Sequence, residues 1–211
     1  MSYMQNSKRN LRQEQAAETR QKLLNSAKML FAEKGYNGTS VRSINRELNM
    51  SDGILYHYFP GGKREILSVI LQESFAERLQ KLNAANPDIE NLPLREALHK
   101  IYMLCDELFS GDLELIKILF RESDLMDLKE TNELSHLFQE RLKWFSEFLS
   151  SKHQKGEIRN MDFEMAAKQF MSIGIVSIIN KLFNFNFIGD LSRESYRERF
   201  IDYILDLWKT S

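Results

Sequence analysis

Two short runs of this sequence carry side chains suited to gripping a polyanion. Thr39-Ser40-Val41-Arg42-Ser43 gathers three hydroxyls and a guanidinium within one stretch. Ser51-Asp52-Gly53-Ile54-Leu55-Tyr56-His57 follows, with a phenol and an imidazole behind a carboxylate and a glycine. Lys63 adds an ammonium beside Gly61-Gly62. Hydroxyls and cations at a helix start suit phosphate oxygens, because free N–H groups and a partial positive charge already lie there. Gly53 lets a backbone lie close to base edges, and Ile54 can meet thymine methyls. Asp52 repels phosphate but can accept from a cytosine amino group. This is chemistry for binding double-stranded DNA. Catalysis is not expected, since the sequence has no GxSxG elbow, HExxH pair or phosphate-cradling glycine loop. His57, His99, His136 and His153 lack metal-ligand spacing, so neither a metal nor a cofactor is expected.

Charge is distributed accordingly. Residues 1–64 hold eleven Lys/Arg against five Asp/Glu, whereas the remainder holds 18 against 25, although the net formal charge is only −1. A basic third on an acidic body implies that one end meets a polyanion. Lys8, Arg9 and Arg12 make residues 1–17 either a basic arm for a minor groove or a flexible solvated tail.

Helical periodicity positions these residues, and the expected fold is all-α with about nine helices. Leu23, Ala27, Leu30 and Phe31 mark a first helix over about 19–34, closed by Gly35. Thr39 or Ser40 caps a second helix with Val41, Ile44 and Leu48 on one face. Asn49 tolerates a left-handed turn, and Ser51 caps a third helix over about 52–58. Residues 18–64 thus read as a helix-turn-helix domain. After Phe59-Pro60-Gly61-Gly62 a helix runs over about 63–83, and Pro87 and Pro93 frame a linker. Further helices are expected over about 94–110, 113–122, 125–153, 163–184 and 193–209, within a second domain of residues 65–211.

The stretch 19–69 closely resembles the DNA-binding domain of the TetR family of transcriptional regulators. Matching pieces are Ala27-Lys28-Met29-Leu30-Phe31, Lys34-Gly35-Tyr36, Thr39-Ser40-Val41-Arg42, and Leu55-Tyr56-His57-Tyr58-Phe59-Pro60 followed by Lys63. The resemblance implies that the third helix enters the major groove and that Tyr56 and His57 meet phosphates. Phe59 reads as core, and Tyr58 as either core or contact. Asn45 and Leu48 stand where the family commonly has small alanines, Asp52 where a basic or neutral residue is usual, and Gly61-Gly62 lengthens the turn by one residue.

The resemblance further implies a C-terminal ligand chamber and a homodimer that reads a palindromic operator, most simply as a repressor released by a small apolar or amphipathic effector. Met103, Phe109, Phe120, Met126, Phe138, Phe145, Phe148 and Met171 can line such a pocket or can simply be core. For the dimer face the expected residues are Phe170, Gly174, Ser177 and Ile178 on one helix, and Tyr196, Phe200, Tyr203, Ile204 and Leu207 on the last. Phe183, Phe185 and Phe187 alternate in an expected loop that suits a lid or an interface. A second reading is an architectural or cell-organising DNA-binding factor with no effector. The single Cys105 excludes a disulfide framework and suits a reducing cytosol. No signal peptide is expected, and the longest apolar run, 170–179, is short of the ~20 residues that span a bilayer. A cytoplasmic protein without membrane contact is expected.

Overall fold

The computed structural model describes residues 2–184 and 193–210, and every regular element among them is helical. The order is α1 (Ser2–Gly38), α2 (Val41–Glu47), α3 (Ile54–Tyr58), α4 (Gly62–Glu90), α5 (Leu94–Ser110), α6 (Leu113–Arg121), α7 (Leu128–Gln154), α8 (Phe163–Phe183) and α9 (Glu194–Trp208), with a 3-10 turn at Ser123–Leu125. The all-α expectation holds. Two compact units result, one from the N-terminus to Ser74 together with Lys117–Glu130, the other from Phe75–Ile116 and Thr131–Ser211. The first unit therefore runs past the expected boundary at residue 64 and recruits a segment from much later in the chain.

In that unit α1 extends back to Ser2, through the stretch expected to be a tail. Neither Gly nor Pro interrupts residues 2–34, so nothing there breaks helical geometry. Gly35, at φ 77°, makes the break. Leu23, Ala27, Leu30 and Phe31 of α1 form a closed hydrocarbon core with Ile44 of α2, Leu55 of α3, Phe59, and Ile66 and Leu67 of α4. Phe59 is 1% exposed and is core, as expected. Ser40 caps α2 by accepting from the Ser43 N–H at 3.0 Å, and the Ser43 hydroxyl returns a bond to the Ser40 N–H. Asn49 takes the left-handed turn at φ 54°. Ser51 does not cap α3: that position falls to Gly53, with no side-chain cap, and Ser51 offers only its carbonyl to the Ile54 N–H. Asn45, fully buried, ties α2 to the next turn by donating to the Asp52 carbonyl at 3.0 Å. An alanine there could not make that bond.

In the second unit the linker expected at Pro87 is absent, because α4 continues through it to Glu90. A proline lacks the N–H that would serve the carbonyl of Asn83, so the helix is weakened there but not ended. Pro93 then stands at the N-cap of α5. Ile89, Leu98, Ile101, Phe145, Phe148, Leu149, Phe170, Ile201, Ile204 and Trp208 form the core of this unit. Asp162 caps α8 by accepting from the Met165 N–H, and Asn184 closes it at φ 52°. Phe183 ends α8 exposed, while Phe185 and Phe187 lie outside the described residues.

Candidate nucleic-acid interface

The outer face of α2 and α3 collects most of the residues expected to contact DNA. Ser40, Arg42, Ser51, Asp52, Gly53 and His57 are exposed, Ser43 and Ile54 half-buried, and Tyr56 is 53% exposed despite its size. A phenol left in solvent above a closed core has no packing reason to be there. Its ring rests on Gly62, where a Cβ would stand 3.1 Å from Tyr56 Cε1, and Gly62 itself sits at φ 64°. The extra glycine of the turn thus seats the tyrosine. His57 and Tyr58 meet edge to face at 5.1 Å, which places Tyr58 half-buried beside the surface. Arg42 and Asp52 pair at 3.1 Å, both well exposed, so the unusual carboxylate holds a guanidinium across the gap between α2 and α3.

Two expected phosphate contacts are engaged inside the unit instead. Thr39 is 2% exposed, and its hydroxyl donates to the carbonyls of Leu30 and Gly35 at the end of α1. Lys63 donates to the carbonyls of Tyr36 and Thr39 at 2.6 and 2.9 Å, and lies 4.0 Å over the Tyr36 ring. Burial lowers the Lys63 pKa, against the field of Glu122. Both side chains hold the turn that aims α2.

A match to the family model of bacterial regulatory proteins of the tetR family covers residues 23–70, the region built above. Residues 23–70 are a TetR-family domain. The regulator UidR of Escherichia coli strain K12 is 36% identical over 61 residues, which cover 29% of this chain and 31% of UidR. The match therefore spans about a third of the first curated relatives, and what those proteins do as wholes is not carried by it. The fold extends further. The TetR-family regulator PfmR of Thermus thermophilus superposes with a TM-score of 0.66 over 87% of this chain and 97% of its own, at 24% identity. Bacillus subtilis FadR, solved in complex with stearoyl-CoA, gives 0.62 over 89% and 96%, at 20% identity. Both likenesses concern the fold alone.

Sequence reasoning missed three features of this unit. Arg46, exposed one turn beyond Arg42 on α2, adds a second cation to the outer face, and its i, i+4 spacing was visible in the sequence. The end of α6 docks on α1: Arg121 donates to the Glu33 carbonyl at 3.2 Å, and Glu122 accepts from the Tyr36 N–H at 2.8 Å. Gly35 makes room, since a Cβ there would lie 3.2 Å from Glu122 Oε1. Arg64 holds Glu130 through two bonds of 2.9 and 3.0 Å. Burial alone would raise the Glu130 carboxyl, but the hydrogen bonds from Arg64, Ser68 and Asp127 outweigh it and hold it at about 2. No short-range pattern announces partners 66 residues apart.

The expected pocket residues are divided between the two units. Phe120 and Met126 belong to the first unit, and Phe120 is half in solvent. In the second unit Phe145 and Phe148 stack with Trp144 in the core, with Met171 packed against it. Phe109 lies under Arg78, and Met103 and Phe138 reach the surface. Cys105 lies deep enough that burial pushes its thiol up to about 11. The expected dimer residues divide by face. Phe170, Ser177 and Ile204 are buried, with Ser177 bonded to Tyr102 at 3.0 Å. Ile178, Phe200 and Gly174 are half-buried, and a Cβ added at Gly174 would meet nothing within 4 Å. Tyr196, Tyr203 and Leu207 stand exposed on one stripe of α9, and Ile175 on α8 is also exposed. Among the described residues no helix is long and apolar enough to cross a membrane, and no group of three His, Cys, Asp or Glu could hold a metal.

Proposed function

We propose that this protein is a transcriptional repressor that binds a palindromic operator as a homodimer and leaves it when a small apolar or amphipathic effector occupies the second unit. The exposed Tyr56, seated on Gly62 in a unit that also exposes Arg42, Arg46 and His57, carries the reading. That face offers cations and hydrogen-bond donors to phosphates, with Gly53 and Ile54 free to approach base edges. The apolar stripe of Tyr196, Tyr203 and Leu207, with the open space at Gly174, supports a twofold helical interface. The stearoyl-CoA held by FadR is an amphipathic ligand in a protein of the same fold, which supports an effector of that general kind. An effector that prefers the conformation in which the two reading heads are wrongly spaced must lower operator affinity by linkage.

The test is binding of the purified chain to DNA from its own upstream region and to sites selected from random DNA, across a salt series. Wild type is expected to select one palindromic site with affinity that falls steeply as salt rises. Tyr56→Ala should weaken that binding about tenfold while the thermal midpoint stays within a degree or two. If no site emerges from random selection, the regulator reading fails.

A further inference from the structure

One cation in the second unit is buried without an anion to match it. Arg141 of α7 is 6% exposed. Its Nη1 donates to the amide oxygens of Asn83 and Asn86 on α4 at 3.3 and 2.9 Å, and its guanidinium lies 4.2 Å over the Trp144 ring. Among the described residues no carboxylate forms an ion pair with it. Other buried cations of the same unit have theirs: Arg78 meets Asp112 at 2.7 Å, and Lys152 meets Glu157 at 3.1 Å. Burial lowers the Arg141 pKa. A guanidinium stays protonated under any physiological condition, so the charge remains and is uncompensated.

Two further observations point to a ligand. Cys105 is only half-buried, so the protein does not fully close over this part of α5. On the same side of α7, two turns before Arg141 and beyond the buried Leu137, Glu133 holds an inaccessible carboxylate oxygen with no hydrogen-bond partner. An anion is thus attracted to the Arg141 end of this face and repelled from the Glu133 end. The two asparagines turn their carbonyls to the guanidinium and leave their NH2 groups as further donors. Asn83 is exposed, Asn86 half-buried and Arg141 buried, which grades the approach from solvent inward.

Resting on the reading of the second unit as an effector domain, we propose that Arg141, with the amide groups of Asn83 and Asn86, receives the carboxylate of an amphipathic monocarboxylic acid. The acid's apolar body lies along α7 and α5 beside Trp144 and Cys105. A single guanidinium flanked by two neutral amides matches one negative charge, and its planar fork matches a carboxylate.

The test uses the full chain without DNA, so its outcome is independent of operator binding. Hexanoate through palmitate, benzoate and naphthoate are titrated against the matching alcohols, with calorimetry and tryptophan fluorescence as readouts. At least one acid is expected to bind about tenfold to a hundredfold more tightly than its alcohol. Arg141→Met should abolish that preference while leaving the thermal midpoint of the ligand-free protein equal or higher, because an unmatched buried charge has been removed. Arg141→Lys should keep part of the preference. Equal binding of acids and alcohols, or silence from the whole series, overturns the proposal. So does an Arg141→Met protein that melts several degrees lower yet still prefers the acid, which would make Arg141 a strut. Loss of operator binding alone would remove the regulator reading and leave this result standing.

Discussion

The two units bury opposite charges. Among the described residues, the buried charged side chains of the first are carboxylates, Glu122 and Glu130, while Arg42 and Arg46 stand outside. In the second they are cations: Arg78, Arg141, Lys152 and Arg197. Each unit thereby keeps on its surface the sign that it has in excess in sequence. A head that sequesters its acids presents a more positive exterior to a phosphate backbone, and a body that sequesters its bases presents an acidic one that turns DNA away. The sorting shows that the interior of a small helical unit can shape its outer field without a change in fold.

The comparison can be broken most forcefully at Lys152, whose ammonium serves the Leu92 carbonyl at 2.6 Å and Glu157 at 3.1 Å while 3% exposed. Lys152→Met should cost about 3 kcal/mol, read as a lower urea midpoint, because a carbonyl and a carboxylate lose their donor together. A smaller cost, about 2 kcal/mol at neutral pH, is expected for Glu130→Gln, since Arg64 keeps some access to water. The Glu130 carboxyl is depressed in the folded state to about 2 from an ordinary 4.5. Its contribution is therefore complete above pH 4.5 and fades as the pH falls toward 2. Paired melts of wild type and variant across that window should converge at the acid end, and a gap that stays constant would mean that Glu130 does not titrate as described.

Ser40→Ala removes the cap of α2 and should cost about 1 kcal/mol, with operator affinity falling in step because the helix that it starts is displaced. Smallest of all is Asp52→Asn. An exposed pair contributes at most about 0.5 kcal/mol to stability. Removing one negative charge from the reading face should nonetheless tighten non-specific DNA binding, measurable in a low-salt titration. A large loss of stability instead would mean that the Arg42–Asp52 pair holds α2 and α3 together.

What could be read from the sequence follows the same division. The head was legible because its logic is local: Gly35, Asn49, Ser40 and the apolar spacing of Leu23 to Phe31 each act within a few residues. Thr39 and Lys63 were legible as important but not in their task, since an alcohol or an ammonium near a helix start can serve a phosphate or a carbonyl equally well. Local signals also misplaced Ser51 as a cap and Pro87 as a break, where packing let α4 continue. The body was legible only as helices. Its aromatic residues look alike whether they line a chamber or fill a core, and Arg141, Arg78 and Lys152 each reach a partner 30 to 60 residues away. Nothing in composition foretells which cation will be left without a carboxylate.

The depth of Cys105 gives the protein a built-in reporter. At pH 8 only about one buried thiol in a thousand is ionised when its pKa is about 11, against roughly a quarter of exposed ones. Alkylation of this single, half-buried cysteine is therefore slow because so little of it is thiolate. A further slowing of its labelling by any added compound would register occupancy beside it without a partner, a dye or a strand of DNA.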